Sequence, residues 1–436
     1  NSASVVASAD YDRDGDLDLF VGGRVVPGRY PIAPQSSLLE NEGGTFREVS
    51  SDEVEGLDRL GMVTSAVWSD ANGDGWLDLL VVGEWEPIRL FVNRKGVLKE
   101  ERSPFVGFEQ YRGWWNALEP ADVDGDGDMD YVACNLGLNT KYHATRDQPI
   151  ELYYGDFEGK GEMNIVEAEY EGNRLYPIRG KSCSTRAMPS LGAKFATFRA
   201  FGSALLSDIY QLDEAKRYQA TEFAHGVFIN DGNARFHFKP LPRSAQVSIA
   251  FGVAARDFNG DGFVDIVLGQ NFYGPQVETG RFDGGQSLLL LGDGSGEFRA
   301  TLPSESGIGI VGELRGIAVS DFDNDGWADL TATRIQDRPI ALRNSGQAGN
   351  HSFSVRLLAD QALTTGAKIF VYFRDGRRRF AETHLGSGYL SQSESLSFFG
   401  YAEGDRPESI SVTWSTGNST NVPWRDEPCI TIEPER

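Results

Sequence analysis

The chain has 436 residues, of which 40% are hydrophobic and 11% aromatic, a composition typical of a folded globular protein rather than a disordered one. This length allows two or three domains, or one large repeat domain with an added module. The formal net charge of −23 argues against nucleic acid as a partner, because no basic face is available to replace phosphate counterions. No apolar run reaches about 18 residues, so no membrane span is predicted.

A unit of four short strands recurs along the first part of the chain. In the first unit the predicted strands are 4–9, 17–22, 37–41 and 45–49, and an acidic loop joins the first two. The second unit covers 61–100, the third begins at Trp114, the fifth spans 249–301 and the sixth runs from Glu313 to about Asn344. Four strands in each repeat are typical of a β-propeller blade. We therefore predict an all-β fold with six visible blades, or seven if upstream sequence supplies another.

The third and fourth units are less regular than the others. Residues 134–148 form a long polar excursion, and we assign 149 onward to the fourth blade, although the sequence does not settle whether 149–153 is a first or a third strand. Within 171–222, apolar residues spaced by three and four predict one or two amphipathic helices capped by Ser190 and Ser203. This helical insertion is interpreted as an accessory cover, with a partner-binding face as the alternative.

The acidic repeat stops at a polar linker, 345–350. Beyond it, strands are predicted at 352–358, 368–373, 377–383 and 410–414, with a hairpin turn at 374–376. We predict two domains, a propeller at 1–346 and a small β-sandwich or barrel at 347–436. Since Arg377, Arg378 and Arg379 lie on one strand, at most two of them share a face, and they are interpreted as a local salt-bridging patch.

Five nine-residue loops repeat one arrangement of oxygen ligands. Asp stands at positions one, five and nine, Asp or Asn at position three and Gly at position six, while position seven would offer its backbone carbonyl. The predicted ligands are Asp10, Asp12, Asp14, Asp16 and Asp18; Asp70, Asn72, Asp74, Trp76 and Asp78; Asp122, Asp124, Asp126, Asp128 and Asp130; Asp257, Asn259, Asp261, Phe263 and Asp265; and Asp321, Asp323, Asp325, Trp327 and Asp329.

Such carboxylates converge on one point only if a cation cancels their repulsion. Ca²⁺ takes six to eight oxygen ligands in tolerant geometry, and glycine permits the sharp turn. The flanks are short strands and not helices, which favours a calcium loop inside a β-hairpin over an EF-hand. We predict about five structural Ca²⁺ ions, which would change the formal charge from −23 to −13. Apolar residues at position eight and the aromatic Tyr11, Phe258 and Phe322 at position two are predicted to enter the core.

A sixth loop, 156–164, has the same frame but carries Lys160 at position five and Asn164 at position nine. Because the ammonium group would stand where a cation belongs, we predict that this loop binds no calcium.

Several features of the sequence favour an extracellular protein. The chain starts at Asn1 without Met, so a signal peptide or other upstream sequence is expected to have been removed or omitted. Loops of this kind fill readily at millimolar extracellular calcium. The three cysteines are too few for a disulfide framework; Cys134 and Cys183 could pair, while free buried thiols are the favoured interpretation for at least two.

The loops resemble the FG-GAP (VCBS) repeats of integrin α-subunit propellers. In the C-terminal part, the segments 366–369, 386–393, 399–400 and 410–414 with Gly417 look like the ASPIC/UnbV domain. That domain follows FG-GAP propellers in bacterial secreted proteins and in the cartilage acidic protein family. The resemblance implies an extracellular, calcium-stabilised propeller with an adhesion or recognition role, and it supplies no catalytic residues.

Three functions are compatible with the sequence. The favoured one is a secreted or cell-surface binding or adhesion protein that recognises an extracellular protein or glycan, with 135–143 and 271–285 as candidate ligand loops. The first alternative is a component of a larger extracellular multidomain or fibrous assembly, joined through free strand edges. The second is a polysaccharide lyase or hydrolase, for which Lys141, Tyr142, His143 and Arg146 form the sole suitable local cluster; we predict that the chain is not an enzyme.

Overall fold

The computed structural model of the chain describes residues 2–435. Asn1 and Arg436, the outer bounds of the two predicted domains, lie outside the described residues. The fold is mostly sheet, with 42% strand and 8% helix. Among the described residues, no helix has the length and apolar character needed to cross a membrane.

The first two blades are four-stranded antiparallel sheets whose strands follow chain order. Blade 1 contains β1 (Ser2–Ala9), β2 (Asp18–Val25), β3 (Ser37–Glu42) and β4 (Thr45–Val49). After a short 3₁₀ turn (Leu57–Arg59), blade 2 contains β5 (Met62–Ser69), β6 (Asp78–Glu86), β7 (Arg89–Asn93) and β8 (Leu98–Glu101), with β9 (Gly113–Trp114) added beside β6. In each, the acidic loop joins the first strand to the second, as predicted.

Blade 3 is interrupted between its second and third strands. It starts with β10 (Ala117–Ala121) and β11 (Asp130–Cys134), and it resumes only with β16 (Gly226–Asn230) and β17 (Phe236–Pro240). The inserted segment forms a separate sheet and four short helices: β12 (Ile150–Gly155), β13 (Asn164–Glu171), β14 (Arg174–Pro177), α1 (Lys181–Ala187), α2 (Ser190–Lys194), α3 (Phe198–Gly202), α4 (Leu206–Ile209) and β15 (Lys216–Ala220). At its base, Asn135 donates its backbone N–H to His225 Nδ1 at 2.8 Å, which joins the two ends of the insertion.

The assignment of 149 onward to a fourth blade was therefore wrong. Strand β11 pairs with β16, almost a hundred residues later, and β10 packs directly against the first strand of the following blade, so no blade lies between them. The insertion is also longer than 171–222 and contains a sheet as well as helices. Ser190 is the first residue of α2 and Ser203 is the C-cap of α3, so neither serine is an N-cap.

Blades 4 and 5 complete the series. Blade 4, which follows a 3₁₀ turn (Ala245–Val247), contains β18 (Ala250–Arg256), β19 (Asp265–Gln270), β20 (Leu288–Gly292) and β21 (Phe298–Ala300). A short helix α5 (Pro303–Ser306) leads to blade 5, which has three strands, β22 (Leu314–Ser320), β23 (Asp329–Arg334) and β24 (Ile340–Leu342). Five blades thus carry the five acidic loops, one fewer than the six blades that the sequence predicts.

The C-terminal part forms two sheets around one core. Its elements are β25 (Asn350–Leu357), α6 (Gln361–Thr364), β26 (Lys368–Phe373), β27 (Arg378–Glu382), β28 (Leu396–Ala402), β29 (Pro407–Thr413), β30 (Ser419–Pro423) and β31 (Cys429–Ile432). The sheet β28-β25-β31 and the sheet β27-β26-β29-β30 share a buried core that includes Phe353, Ile369, Val412 and Trp414. This arrangement matches the predicted β-sandwich.

The first strands of the blades surround a segment of the C-terminal part, 384–394. Backbone hydrogen bonds join this segment to blades 1, 3 and 5: Ser8 N–H to Leu385 O, Gly388 N–H to Leu118 O, and Glu394 N–H to Val319 O. The Ser65 hydroxyl of blade 2 donates to Gly388 O at 2.8 Å, and Tyr389 packs on Phe251 of blade 4. The segment, which we call the hub, therefore contacts all five blades.

The two ends of the blade series are exposed. Position two of each loop faces the following blade: Tyr11 stacks on Trp68 of blade 2, and Phe258 joins the core of blade 5. Phe322, at the same position in blade 5, is 46% exposed because no further blade follows. The prediction that all three aromatic residues enter the core was wrong for Phe322.

Candidate metal centres

The five acidic loops adopt one backbone conformation. The glycine at position six has a positive φ in every copy, between 88° and 99°. Position four is also left-handed, at Arg13, Gly73, Gly125, Gly260 and Asn324. Glycine is favoured where φ is positive, which explains why position six never carries a side chain. Sequence analysis missed position four, although glycine in three of the five copies was the available signal.

The aspartate at position one anchors the turn. Its Oδ2 accepts the backbone N–H of the position-six glycine in four loops, at 3.1 Å from Asp10, 2.7 Å from Asp70, 2.8 Å from Asp257 and 2.9 Å from Asp321. In the third loop, Asp122 Oδ1 accepts from Gly125 at 2.8 Å. The Asp10 Oδ1 atom is buried and has no hydrogen-bond partner among the described residues. A bound cation would satisfy this oxygen.

The aspartate at position nine connects three strands of its blade. One oxygen accepts the N–H of position two, as in Val123 to Asp130 at 2.8 Å, and the other accepts an N–H from the end of the third strand, as in Asn230 to Asp130 at 2.8 Å. In the other blades the same backbone N–H bond to the position-nine aspartate comes from Asn41, Asn93, Gly292 and Asn344. Sequence analysis overlooked these asparagines, which recur at the ends of third strands.

Burial makes these carboxylates difficult to ionise without a cation. Burial, together with repulsion from neighbouring loop carboxylates, raises the pKa of Asp10 to about 6, of Asp18, Asp122 and Asp257 to about 7 and of Asp130 to about 8. The pKa values of Asp78 and Asp265 lie well above the ordinary range for the same reason. Carboxylate oxygens converge within 4.8 Å of one another at Asp10, Asp12 and Asp18, at Asp122, Asp124 and Asp130, and at Asp321, Asp323 and Asp325. An all-oxygen set of this kind suits a hard divalent cation.

In the second, fourth and fifth loops the position-seven side chain is aromatic and packs against its neighbours. Arg13 of the first loop stacks on Trp76 at 4.0 Å, and Arg379 stacks on Phe263 at 4.6 Å. Trp327 packs against Gly260 and Gly346. These contacts leave the backbone carbonyl as the group that position seven could offer.

The C-terminal part contacts four of the loops. Lys368 Nζ lies 2.5 Å from Asp70 Oδ2, Arg378 donates to Asp126 O at 3.3 Å, and the Ser352 hydroxyl donates to Gly326 O at 2.8 Å. Gly400 packs against the fourth loop at Asp257 and Gly260. The predicted salt-bridging patch is found at Arg377, which pairs with Asp375 and Asp405, whereas the adjacent Arg378 and Arg379 both lie against the acidic loops. Sequence analysis did not foresee that this domain covers the acidic face.

In the fifth loop and in the degenerate loop, a basic side chain of the protein lies beside the acidic residues. Arg343 pairs with Asp323 and Asp325, two of the predicted ligands of the fifth loop. In the loop 156–164, Lys160 Nζ lies 2.9 Å from Glu158, and Asp156 is bound by the Gly161 N–H at 2.6 Å. The backbone N–H of Gly161 lowers the pKa of Asp156, in contrast to the buried aspartates of the other loops.

The predicted local cluster of Lys141, Tyr142, His143 and Arg146 is divided between buried and exposed positions. Tyr142 is buried and donates to Glu167, while Lys141 donates to the Glu278 carbonyl at 3.3 Å, and both His143 and Arg146 are exposed. Cys134, Cys183 and Cys429 are free thiols, and only Cys134 among them is buried. The cysteines are thus free, as favoured over a pairing of Cys134 with Cys183, but the prediction of at least two buried thiols was wrong.

Comparisons with known proteins agree with this architecture. A family model described as FG-GAP-like repeat matches residues 10–81 and 70–133, and one described as ASPIC and UnbV matches residues 359–424. Cartilage acidic protein 1 of Homo sapiens is 27% identical over 227 residues, which cover 39% of this chain and 34% of that protein. The Xenopus tropicalis protein of the same name is 27% identical over 462 residues, which cover 80% of this chain and 70% of that protein.

The chain spans about a third of the length of the human relative. Among solved structures, the V. cholerae biofilm matrix protein Bap1 is 13% identical and covers 98% of this chain and 59% of its own, with a TM-score of 0.28, too low to support an argument. Segments of the chain match FG-GAP-like repeats and, after them, an ASPIC and UnbV domain, and the chain is similar to cartilage acidic protein 1.

Proposed function

We propose that the chain is a secreted or cell-surface binding protein, stabilised by about five Ca²⁺ ions, that recognises an extracellular protein or glycan. The observation that supports this proposal best is the repeated loop geometry, in which buried aspartates at positions one and nine have raised pKa values and Asp10 has an unpartnered oxygen. In each loop the ion would be held by the side chains at positions one, three, five and nine and the carbonyl at position seven.

Calcium in these positions acts on the shape of the protein and not on a reaction. Each ion would cancel the repulsion inside one hairpin, and the C-terminal part lies over the loops through Lys368, Arg378 and Gly400. This face is therefore covered, which leaves the opposite rim for a ligand. We propose no catalytic role, no nucleic-acid partner and no resident cofactor besides Ca²⁺.

Both candidate ligand loops lie together on that opposite rim. Lys141 of the loop 135–143 donates to Glu278 O of the loop 271–285, and Arg179 of the insertion lies 3.8 Å from the Glu278 carboxylate. Val277, at the tip of the second loop, is 94% exposed. A rigid ring that presents an exposed apolar tip beside basic side chains suits recognition of a protein or glycan surface.

The calcium proposal is tested by counting bound ions and measuring thermal unfolding in the same sample, with calcium and with a chelator. About five ions and a large loss of stability on chelation would support it. Fewer than three ions with no loss of stability would overturn it.

The binding proposal is tested on arrays of immobilised matrix proteins and glycans. We expect calcium-dependent binding that Val277→Glu abolishes. Val97→Glu is the matched control, because Val97 is also exposed, at 62%, but lies in the outer hairpin of blade 2. Binding that survives Val277→Glu, or that is equal in chelator, would contradict the proposed surface.

Assembly into a larger extracellular structure is the second candidate, and one observation favours it. Blade 5 has three strands where the other blades have four, so the outer edge of β24 lacks the strand that the other blades place there. An unpaired edge is a common site of strand addition.

A further inference from the structure

Blade 5 stops one strand short of the pattern set by the other four blades. In blades 1 to 3 an asparagine ends the third strand, donates its N–H to the position-nine aspartate, and the chain returns as a fourth strand. Asn344 makes the same bond to Asp329 at 2.7 Å, but the chain then continues through 345–349 into β25. The turn is kept and the fourth strand is missing.

The missing strand would carry a large apolar residue at its start. The residue paired with the turn position is Phe46 in blade 1, Leu98 in blade 2, Phe236 in blade 3 and Phe298 in blade 4. In blades 2 to 4 this side chain packs in the core shared with the preceding blade. In blade 1, the first blade among the described residues, Phe46 is 48% exposed.

A groove of ≈ 620 Å³ lies between blades 4 and 5 where this side chain would belong. Its apolar lining comes from both blades and the segment between them: Phe258, Leu289, Leu291, Ile308, Leu330 and Leu342. Arg299 and Arg343 border it. Polar residues, among them Thr301, Glu305 and the segment 345–347, complete the lining, so the groove has an apolar part and a polar part beside an unpaired strand edge.

The backbone of β24 is arranged to accept a strand. Because Asn344 directs its N–H towards the second strand of the blade, alternation along the strand directs the N–H and C=O groups of Ala341 and Arg343 towards the outer edge. An added strand would satisfy these groups, as fourth strands do in the other blades. Those strands have three to five residues.

We propose that this groove binds an extended segment of a partner protein, which adds to β24 as the fourth strand of blade 5 and places Phe or Leu opposite Asn344. Arg343 already pairs with Asp323 and Asp325, so the partner strand is recognised by its backbone and its apolar residue and not by charge. The four strands of this chain with a matching apolar residue are all engaged in their own blades, so a second copy would have to give one up. The inference rests on the proposed binding function and adds a site for a peptide partner.

The test uses a labelled synthetic peptide with the sequence of residues 235–240, which contains the fourth strand of blade 3. We expect saturable binding by fluorescence anisotropy in calcium buffer, together with slower hydrogen exchange at Ala341 and Arg343. Replacing the peptide residue Phe236 by Asp removes the apolar side chain and should weaken binding at least about tenfold.

Variants of the protein locate the site. Ala341→Pro removes the edge N–H and should abolish binding, whereas Ala341→Val keeps the N–H and should retain it. Absence of binding, or equal binding to both variants, would overturn the proposal. A dimer in sedimentation experiments that Ala341→Pro dissociates would also overturn it, since the occupant would then be a second copy.

If Ala341→Pro fails to fold, the proposal is tested by the binding of the peptide variants to the wild-type protein and by hydrogen exchange at Ala341 and Arg343. The array experiment on the Val277 rim uses a different surface, so failure of the proposed binding function and failure of this groove are distinguishable.

Discussion

Replacement of Asp130 by alanine separates the structural role of a loop aspartate from its role as a metal ligand. Asp130 is fully buried and accepts two backbone N–H bonds, from Val123 and Asn230, each at 2.8 Å. Alanine would leave both buried donors without a partner, at about 1–3 kcal/mol each. We therefore expect Asp130→Ala to lower the free energy of unfolding by about 2–6 kcal/mol, with or without calcium.

Asp126→Ala, in the same loop, provides the contrast. Asp126 is exposed, and its side chain accepts only the N–H of Asp128, at 2.8 Å. Its carboxylate adds repulsion in the empty loop and ligation in the filled one. We expect this variant to destabilise blade 3 in calcium, to bind one ion fewer, and to be at least as stable as the wild type in chelator.

The assay is urea unfolding followed by tryptophan fluorescence, with millimolar calcium and with chelator, alongside a count of bound ions. Asn164→Ala is the control, because Asn164 holds position nine of the degenerate loop and its side-chain bond, to Glu162 O at 3.3 Å, is exposed. It should change stability by less than about 0.5 kcal/mol. Loss of stability in Asp130→Ala only when calcium is present, or equal calcium stoichiometry in wild type and Asp126→Ala, would refute the reasoning.

Three further predictions concern pH, the domain contact and the degenerate loop. Burial raises the folded-state pKa of Asp18 to about 7 and of Asp130 to about 8. Protonation of these two aspartates therefore stabilises the metal-free fold, and this contribution is complete below their ordinary pKa of 3.8. It is lost as pH rises through the raised pKa values. The chelated protein should therefore melt lower at about pH 8 than at about pH 5, and calcium should raise Tm more at the higher pH; equal gains would contradict this. Gly400→Ala should destabilise the protein by about 1–3 kcal/mol, because its Cβ would lie 2.2 Å from Asp257 Oδ2. Gly180→Ala is the control, since the space around Gly180 is open and stability should not change. The denaturant midpoints of the two variants are compared with that of the wild type. Lys160→Ala should leave the calcium count unchanged, and a gain of one ion would show that the ammonium group alone keeps that loop empty.

The acidic loops were predictable because their geometry is local. Nine consecutive residues fix the turn, and the positive φ of Gly127 and its equivalents follows from the backbone itself. The strands beside each loop followed in the same way, since β1 and β2 pair across a loop that the sequence displays directly. Local spacing therefore predicted the candidate sites and most of the first two blades.

The missed features all depend on residues far apart in the chain. The third strand of blade 3 was hidden because 91 residues separate Cys134 from Gly226, and the inserted strands have the same alternating pattern as blade strands. The contacts of Lys368 and Arg378 with the loops bridge about 300 and 250 residues, and nothing in a local pattern encodes such distances. The blade count was wrong for this reason, although the repeat itself was recognised.

The hub gives a physical reason for the glycine-rich segment that made the C-terminal part recognisable. Gly386 and Gly388 both have positive φ, and a Cβ at Gly386 would lie 2.7 Å from Val6 O in blade 1. Backbone this close to the first strands can bond to them directly, as Gly388 does with blades 2 and 3. Blades 1 to 5 contact one another only in series, so a central segment that bonds to all of them restrains their relative rotation. The C-terminal part thus contacts the blades in two places. The hub bonds to their first strands, and basic side chains bind the acidic loops. Separation of the C-terminal part from the blades should therefore loosen the packing of the blades against one another.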